Sequence, residues 1–269
     1  MLQLSRSARA VLISIVAFIV LVIYVPLLLV VANSFNVASL SSWPIKGLTT
    51  EWWVVAWESP FIREALLNSV IVALGATFFA GILGTMAAFA LQRYEFFGRQ
   101  SINLLIVLPI ALPGVVTGVA FSNTYNSVLP EIGINIGYFG MIVAHATFCI
   151  VMVFNNVGAR LRRMNPGLVE ASMDLGANVW QTFRLVTFPQ FRPAFVAGAI
   201  LAFALSFDEV IVTIFTAPPG VETLPLWILK EMARPNQASV VNVVATVVIL
   251  FSLIPVYVSL RMSRSDEDS

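Results

Sequence analysis

The chain has 269 residues, of which 59% are hydrophobic and only 11% are charged, and its mean hydropathy is +0.91. Soluble domains contain about a quarter charged residues, because these residues provide most of a water-facing surface. The composition therefore excludes an ordinary soluble domain. The net charge is +1 and the basic residues form no run, so nothing indicates nucleic-acid binding. Cys149 is the only cysteine, which excludes an internal disulfide and a cysteine-based metal site.

Six segments are long and apolar enough to cross a bilayer. A hydrocarbon core of about 30 Å needs about 20 residues of helix, and stretches of that length without charged residues occur five times. A sixth stretch, 193–221, contains only the adjacent acidic pair Asp208 and Glu209. We therefore predict an all-α membrane protein with six transmembrane helices, near residues 11–32, 66–91, 101–121, 139–158, 194–214 and 239–260.

The basic residues predict the orientation of these helices. With six helices, both termini, the second-to-third connection and the fourth-to-fifth connection lie on one side of the membrane. That side holds eleven of the fifteen basic residues, and by the positive-inside rule both termini are cytoplasmic. The first helix is too long for a signal peptide, so we expect a retained anchor. The eleven residues are Arg6, Arg9, Arg93, Arg99, Arg160, Arg162, Arg163, Arg184, Arg192, Arg261 and Arg264; the other four are Lys46, Arg63, Lys230 and Arg234.

Three of the predicted helices have patterns that bear on packing. Helices associate in lipid through small residues spaced four apart, so we expect the second and fifth helices to be buried. Prolines and glycines interrupt the third helix, which leaves a structural kink and a pathway-lining role both open. The small residues are Ala76, Ala80, Gly84 and Ala88, and Ala194, Gly198, Ala202 and Ser206; the interrupting residues are Pro109, Pro113, Gly114 and Gly118.

The fourth-to-fifth connection, residues 160–192, has a helical pattern of its own. Asn165 and Pro166 indicate a helix start, and Gly176 indicates its end. We predict a second short helix that begins at Asn178 and ends near Pro189. An amphipathic helix of this kind can bind a groove on a partner protein, or it can pack on its own bundle.

This loop resembles a known family. Residues 170–189 are EASMDLGANVWQTFRLVTFP, which resembles the EAA loop of ABC importer permeases, with the pattern E-A-A-x3-G-x9-I-x-L-P. Ser, Val and Phe replace the third Ala, the Ile and the Leu of that pattern. Asn68-Ser69 and the order of the helices extend the resemblance over residues 64–258. Residues 205–210 (LSFDEV) and 223–226 (TLPL) look like the second permease subunit of spermidine/putrescine importers.

The resemblance implies a type I, MetI-like permease of the binding-protein-dependent transport family in the bacterial inner membrane. It implies an anchor helix and periplasmic interfacial segment (1–63), an ABC transmembrane domain (64–258) and a cytoplasmic tail (259–269). A cluster of tryptophans supports the interfacial segment. In this family the EAA helix docks in a cytoplasmic ATPase. The tryptophans are Trp43, Trp52, Trp53 and Trp57; by position, the expected coupling residues are Glu170, Ala171, Ser172, Asp174, Gly176 and Pro189.

The resemblance also implies the partners. Neither Lys46 nor Lys230 follows a glycine, so the chain has no P-loop and is not expected to be an enzyme. ATP and magnesium would be bound by a partner ATPase dimer, and this chain would hold no cofactor. A second homologous permease and an extracytoplasmic solute-binding protein complete the expected importer.

The acidic pair in the fifth helix is the predicted solute site. A carboxylate in a transmembrane helix costs about 2.5–3.5 kcal/mol on insertion scales and faces the bundle interior or water. Asp208 lies fifteen residues beyond Pro193, about 22 Å along a helix, which predicts a position in the outer half of the membrane. No basic residue lies in that helix, which favours a cationic solute such as a polyamine. Phe207 and Trp227 either add cation–π contacts or pack.

Several alternatives stay open from the sequence. One acid could line the path while the other caps or pairs, or both could form a gate without contacting solute. Ferric iron or an organophosphonate could replace the polyamine, and a membrane scaffold or enzyme without transport is a weaker possibility. His145 and Cys149 have the spacing of two metal ligands on a helix, but two ligands do not make a zinc site. We expect a buried structural pair there, with no metal ligand and no catalytic residue.

Overall fold

The computed structural model describes residues 5–39, 44–134, 137–165 and 167–265. The described structure is helical, apart from an isolated bridge between Asn36 and Leu48, so the all-α class is confirmed. Trp43, Pro166 and residues 266–269 of the predicted tail lie outside the described residues. The helices are α1 (Arg6–Asn33), α2 (Glu51–Glu58), α3 (Pro60–Arg93), α4 (Arg99–Ala111), α5 (Gly114–Asn123), α6 (Gly137–Arg163), α7 (Gly167–Asp174), α8 (Val179–Thr182), α9 (Phe188–Phe207), α10 (Ile211–Thr216), α11 (Leu224–Met232) and α12 (Ala238–Ser265).

The chain forms two compact units, Met1–Arg63 with Trp227–Ser269 and Glu64–Leu226. In the first unit, α1 is the most apolar span, and its side chains from Ser7 to Asn33 are exposed or half-buried. A helix that is hydrophobic on all sides and not covered by its own chain is suited to contact lipid. The indole nitrogen of Trp52 on α2 donates to the carbonyl of Asn36 at 3.0 Å.

Helix α6 is the most buried span of the second unit, and both small-residue stripes pack against it. A Cβ added at Gly84 on α3 would lie 2.8 Å from the carbonyl oxygen of Ile150. A Cβ added at Gly198 on α9 would lie 2.9 Å from the Cα of Val153. These distances allow only glycine, so the predicted close packing is confirmed at the stripes. The fully buried alanines of the stripes are Ala76, Ala80, Ala88 and Ala202.

Within the described residues, four helical stretches are long and apolar enough to cross a membrane. They are Ser7–Asn33, Pro60–Arg93, Gly137–Arg163 and Val179–Phe207. A fifth results if the bent pair α4 and α5 forms one span, and Ala238–Ser252 of α12 is a shorter apolar helix. The chain is therefore built as a multi-pass membrane protein.

The third predicted helix, 101–121, is broken in the structure. Helix α4 and the helical stretch Gly114–Ile132, which begins with α5, meet at an angle of 102°. Leu112 is extended, at φ −80° and ψ 140°, because the residue before a proline avoids the helical region. Pro113 then precedes the first turn of α5. The interruption that the prolines and glycines predicted is thus confirmed as a sharp bend at Pro113, whereas Pro109 lies inside α4. A role in lining the pathway stays a prediction.

The prediction of an unbroken fifth helix over 194–214 was wrong. Helix α9 ends at Phe207, and α10 begins only at Ile211. At this point some backbone N–H and carbonyl groups bond to side chains instead of to other backbone groups. Hydroxyl and carboxylate groups can compete for backbone hydrogen bonds in this way. The hydroxyl of Thr213 donates to the carbonyl of Glu209 at 2.7 Å. We call residues 208–210 the helix break.

The predicted end of the second loop helix near Pro189 was also wrong. From Val179 to Phe207 the chain is one continuous helical stretch, with a π-helical turn at Phe183–Thr187 between α8 and α9. Pro189 lies in the first turn of α9. Proline has no backbone N–H, and it is tolerated there because the N–H groups of a first turn have no acceptor within the helix. The loop is therefore joined to the fifth span without a hinge of extended chain.

Candidate functional site

The EAA-like segment, residues 167–182, consists of α7, a tight turn and α8. The turn is closed by two backbone hydrogen bonds, from Gly176 to Met173 at 2.9 Å and from Ala177 to Ser172 at 3.1 Å. Gly176 has φ +86°, a left-handed conformation that favours glycine. The predicted end of the first loop helix at Gly176 is thus confirmed.

Side chains hold α7 and α8 together. The hydroxyls of Ser172 and Thr182 are 3.0 Å apart, and Thr182 is buried. Asn178 and Gln181 form a capping box at the start of α8, with bonds of 2.8 and 2.9 Å. The serine that departs from the family pattern therefore has a partner in this chain.

The outer surface of the segment combines apolar and acidic residues. Glu170, Ala171 and Asp174 are exposed, and neither acid has a hydrogen bond or ion pair among the described residues. Leu175 is 90% exposed, and Val179 is 74% exposed. Burying such side chains is favourable, so this surface is suited to contact another protein. The other exposed apolar side chains of the segment are Leu168, Met173 and Trp180.

An aromatic cluster, which the sequence analysis missed, connects this segment to two spans. Phe183 has ring contacts with Trp180, with Phe89 of α3 and with Phe188 and Phe191 of α9, at centroid distances of 6.0 to 6.2 Å. Phe191 is buried. Four of the five rings lie within residues 180–191, whereas Phe89 is far away in sequence, so the pattern of the loop alone did not indicate the contact with α3. Pro189, which was also expected to be a coupling residue, is exposed but lies outside the EAA-like segment.

The two predicted solute-path acids have different environments at the helix break. Glu209 is half-buried, and its Oε1 accepts a hydrogen bond from the backbone N–H of Val212 at 2.9 Å. Asp208 is exposed, and its carboxylate has no hydrogen bond or ion pair among the described residues. Phe207 is half-buried and stacks on Phe203 at 5.9 Å. Trp227 belongs to the first unit, where it is buried.

His145 is fully buried behind this break. Its Nδ1 lies 2.9 Å from the hydroxyl of Ser206, and its Nε2 lies 3.0 Å from the hydroxyl of Thr213. Cys149 contacts the carbonyl of Ala202 at 3.2 Å instead. No group of three or more potential metal ligands occurs in the described part of the chain. His145 and Cys149 are therefore both buried, as expected, and each has a hydrogen-bond partner on α9. That neither residue binds a metal stays a prediction.

Two parts of the sequence that suggested the family resemblance meet in the second unit. The amide of Asn68 donates to the carbonyl of Glu222 at 3.0 Å. The backbone N–H of Leu224 donates to the hydroxyl of Ser69 at 2.7 Å. Tyr138 donates to the carbonyl of Asn68 at 3.3 Å. The start of the second span thus fixes the loop that precedes α11.

Comparisons with known proteins agree with this architecture. The permease PotC of the spermidine/putrescine transport system of Escherichia coli (strain K12) is 30% identical over 243 residues, which cover 90% of this chain and 89% of PotC. The sulfate transport system permease CysT of the same strain is 32% identical over 220 residues, 75% and 79% of the two chains. The fold is similar to that in a bacterial ABC transporter involved in the import of the acidic polysaccharide alginate, with a TM-score of 0.69, 15% identity and coverage of 98% and 99%.

The family model described as the inner membrane component of binding-protein-dependent transport systems matches residues 80–264. That match covers more than half of the chain and includes the EAA-like segment, the helix break and α6. It agrees with the resemblance that the loop sequence indicated. This chain is therefore a permease of the binding-protein-dependent transport system inner membrane component family, found in ABC importers.

Proposed function

We propose that this chain is one permease subunit of an ATP-driven polyamine importer in a bacterial inner membrane. It provides half of the translocation pathway through six transmembrane helices, with both termini in the cytoplasm. A second permease provides the other half, and an extracytoplasmic binding protein delivers spermidine or putrescine. A separate cytoplasmic ATPase dimer binds ATP and magnesium and hydrolyses ATP.

The observation that supports this proposal most is the exposed apolar surface of the EAA-like segment. Leu175 and Val179 are largely exposed there, and the acidic residue Glu170 of the same segment is exposed as well. A partner with an apolar cleft and basic residues at its edge complements that surface. Because residues 179–207 form one helical stretch, a displacement of α8 by the partner would also move the end of α9 at the helix break.

The polyamine assignment rests on the helix break and on the relative PotC. The exposed carboxylate of Asp208, which has no ion pair among the described residues, is complementary to an ammonium group. An aromatic ring at Phe207 adds apolar surface for a methylene chain. PotC belongs to a spermidine/putrescine transport system. In this proposal, residues 1–63 form the anchor helix and a periplasmic interfacial segment, residues 64–258 form the transmembrane domain, and residues 259–269 form a cytoplasmic tail.

Uptake of radiolabelled spermidine tests the solute assignment. Cells that lack their own polyamine importers should accumulate spermidine only when this chain is produced with its ATPase, partner permease and binding protein. Unlabelled putrescine should compete, whereas sulfate should not. Uptake of sulfate, ferric iron or an organophosphonate without spermidine uptake would keep the permease role and overturn the polyamine assignment.

A further inference from the structure

We propose that His145 is a positioning residue, which holds α9 and α10 in a fixed relation across the helix break and so presents Asp208. His145, Ser206 and Thr213 are named here the His145 bridge. The consequence for solute transport rests on the proposed function, but the structural role of the bridge does not.

The bridge spans the point where the backbone ladder is lost. Between Phe207 and Ile211 the chain leaves the helix, and the regular backbone ladder is interrupted. The local bonds that remain include those of Glu209, whose N–H donates to the carbonyl of Ser206 at 3.4 Å and whose Oε1 accepts from Val212. Ser206 lies on α9, two residues before Asp208, and Thr213 lies on α10. His145, on the neighbouring helix α6, contacts both hydroxyls with one ring. A single rigid side chain therefore connects the two sides of the break.

The hydrogen bonds of the bridge form a directed chain. The Thr213 hydroxyl donates to the carbonyl of Glu209, so its oxygen accepts from another donor. A neutral imidazole has one donor and one acceptor nitrogen. The Nε2–H of His145 therefore donates to Thr213, and Nδ1 accepts from the hydroxyl of Ser206. Each polar atom of this chain has a partner, and all three side chains are at most 3% exposed.

Two other polar side chains near the break, those of Cys149 and Thr216, do not link α9 to α10. The thiol of Cys149, one turn along α6, donates to the carbonyl of Ala202 on α9 at 3.2 Å. Thr216, one turn along α10, donates to the carbonyl of Val212 in its own helix. Removal of either group leaves the connection across the break intact. Thr216 therefore provides a matched control for Thr213, and Cys149 can be replaced in the chain used for labelling.

A spin label at the break tests the bridge independently of transport. The full chain with Cys149→Ala and Asp208→Cys carries a nitroxide only at position 208. In membranes, Thr213→Val should shift this label from an immobilised to a mobile spectral component, because the Nε2–H bond is lost at nearly constant volume. Thr213→Ser keeps the hydroxyl and should restore the immobilised spectrum, and Thr216→Val should leave it unchanged.

A second label decides whether the effect is local. With Leu201→Cys instead of Asp208→Cys, the nitroxide lies on the exposed side of α9, before the break. That label should not respond to Thr213→Val. A label at 208 that stays immobilised in both Thr213→Val and His145→Ala would overturn the proposal. An equal response at 201 and 208 would overturn it as well, since it would indicate a general loosening of α9.

Spermidine uptake then separates positioning from the proposed function. Thr213→Val should raise the half-saturation concentration about three- to tenfold at nearly unchanged maximal rate, as expected for the loss of one buried hydrogen bond. A fall in maximal rate alone would contradict positioning. If the wild-type importer takes up no spermidine, the proposed solute is wrong, while the spin-label result still decides the role of His145.

Discussion

The EAA-like segment and the helix break differ in which kind of side chain is exposed and which is buried. In the segment, apolar groups such as Leu175 and Val179 are exposed, and the acids Glu170 and Asp174 have no partner among the described residues. At the break, the polar groups of His145, Ser206 and Thr213 are buried and hydrogen-bonded to one another. Exposed apolar surface is stabilised by a partner from outside, whereas a buried polar network is complete within the chain.

This difference separates two functions along one helical stretch. The helical stretch Val179–Phe207 begins with α8 of the EAA-like segment and ends at the helix break. The aromatic cluster around Phe183 lies between these two ends. Changes in the segment should disturb contact with a partner and leave the chain itself intact. Changes at the break should alter the solute path and leave partner binding intact. Variants in the two regions should therefore have separable effects.

The largest effect is expected from Glu170→Arg. The side chain is exposed, so the variant should reach normal levels in the membrane, but its reversed charge should prevent docking of the ATPase. ATP-driven spermidine uptake should fall to background. Glu95→Arg is the control, because Glu95 is an exposed acid in the other connection on the predicted cytoplasmic side. Normal uptake by Glu170→Arg would refute the docking role.

A smaller effect is expected at the break, and it should differ between the two acids. Asp208→Asn removes an exposed negative charge that has no ion pair in the described part of the chain, so the half-saturation concentration for spermidine should rise about tenfold. In Glu209→Gln the amide oxygen can still accept from Val212, and the rise should be smaller. Uptake measured at several spermidine concentrations gives both values. A larger effect of Glu209→Gln would reverse our assignment of the two acids.

The smallest effect is expected for Gly176→Ala in the turn of the EAA-like segment. A Cβ at this position meets no atom within 4 Å, so the cost is only that of a left-handed alanine, about 1 kcal/mol. Spermidine uptake should fall by a factor of a few at equal amounts of protein. Gly133→Ala has the same open surroundings at φ +76° outside the segment and should have no effect on uptake. Equal losses in both variants would show that the turn at Gly176 has no special role.

The sequence predicted the features that depend on composition and simple patterns. Long apolar runs predicted α1, α3 and α6, and the small residues at Gly84 and Gly198 predicted where helices pack closely. Gly176 marked the end of α7 because few other residues adopt its conformation. The loop motif identified the family, which the comparison over residues 80–264 then showed.

The sequence did not predict the helix break or the partners of its polar groups. The apolar stretch 193–221 contains only the acidic pair Asp208 and Glu209, so its length and composition favoured one helix over 194–214. The break depends on hydrogen bonds between residues far apart in sequence, such as those of His145 with Ser206 and Thr213. Pro189 was misinterpreted for a related reason, since a proline in a first turn looks like a helix end when the preceding π-helical turn is unknown.

Site-specific photocrosslinking tests the central claim most directly. A p-benzoyl-phenylalanine at position 175, on the exposed surface of the EAA-like segment, should form an adduct with a protein that contains a P-loop sequence, identified by mass spectrometry. The same group at position 201, on the exposed side of α9, should not. Failure to form an ATPase adduct at positions 168, 175 and 180, in a chain that is normally present in the membrane, would contradict the account.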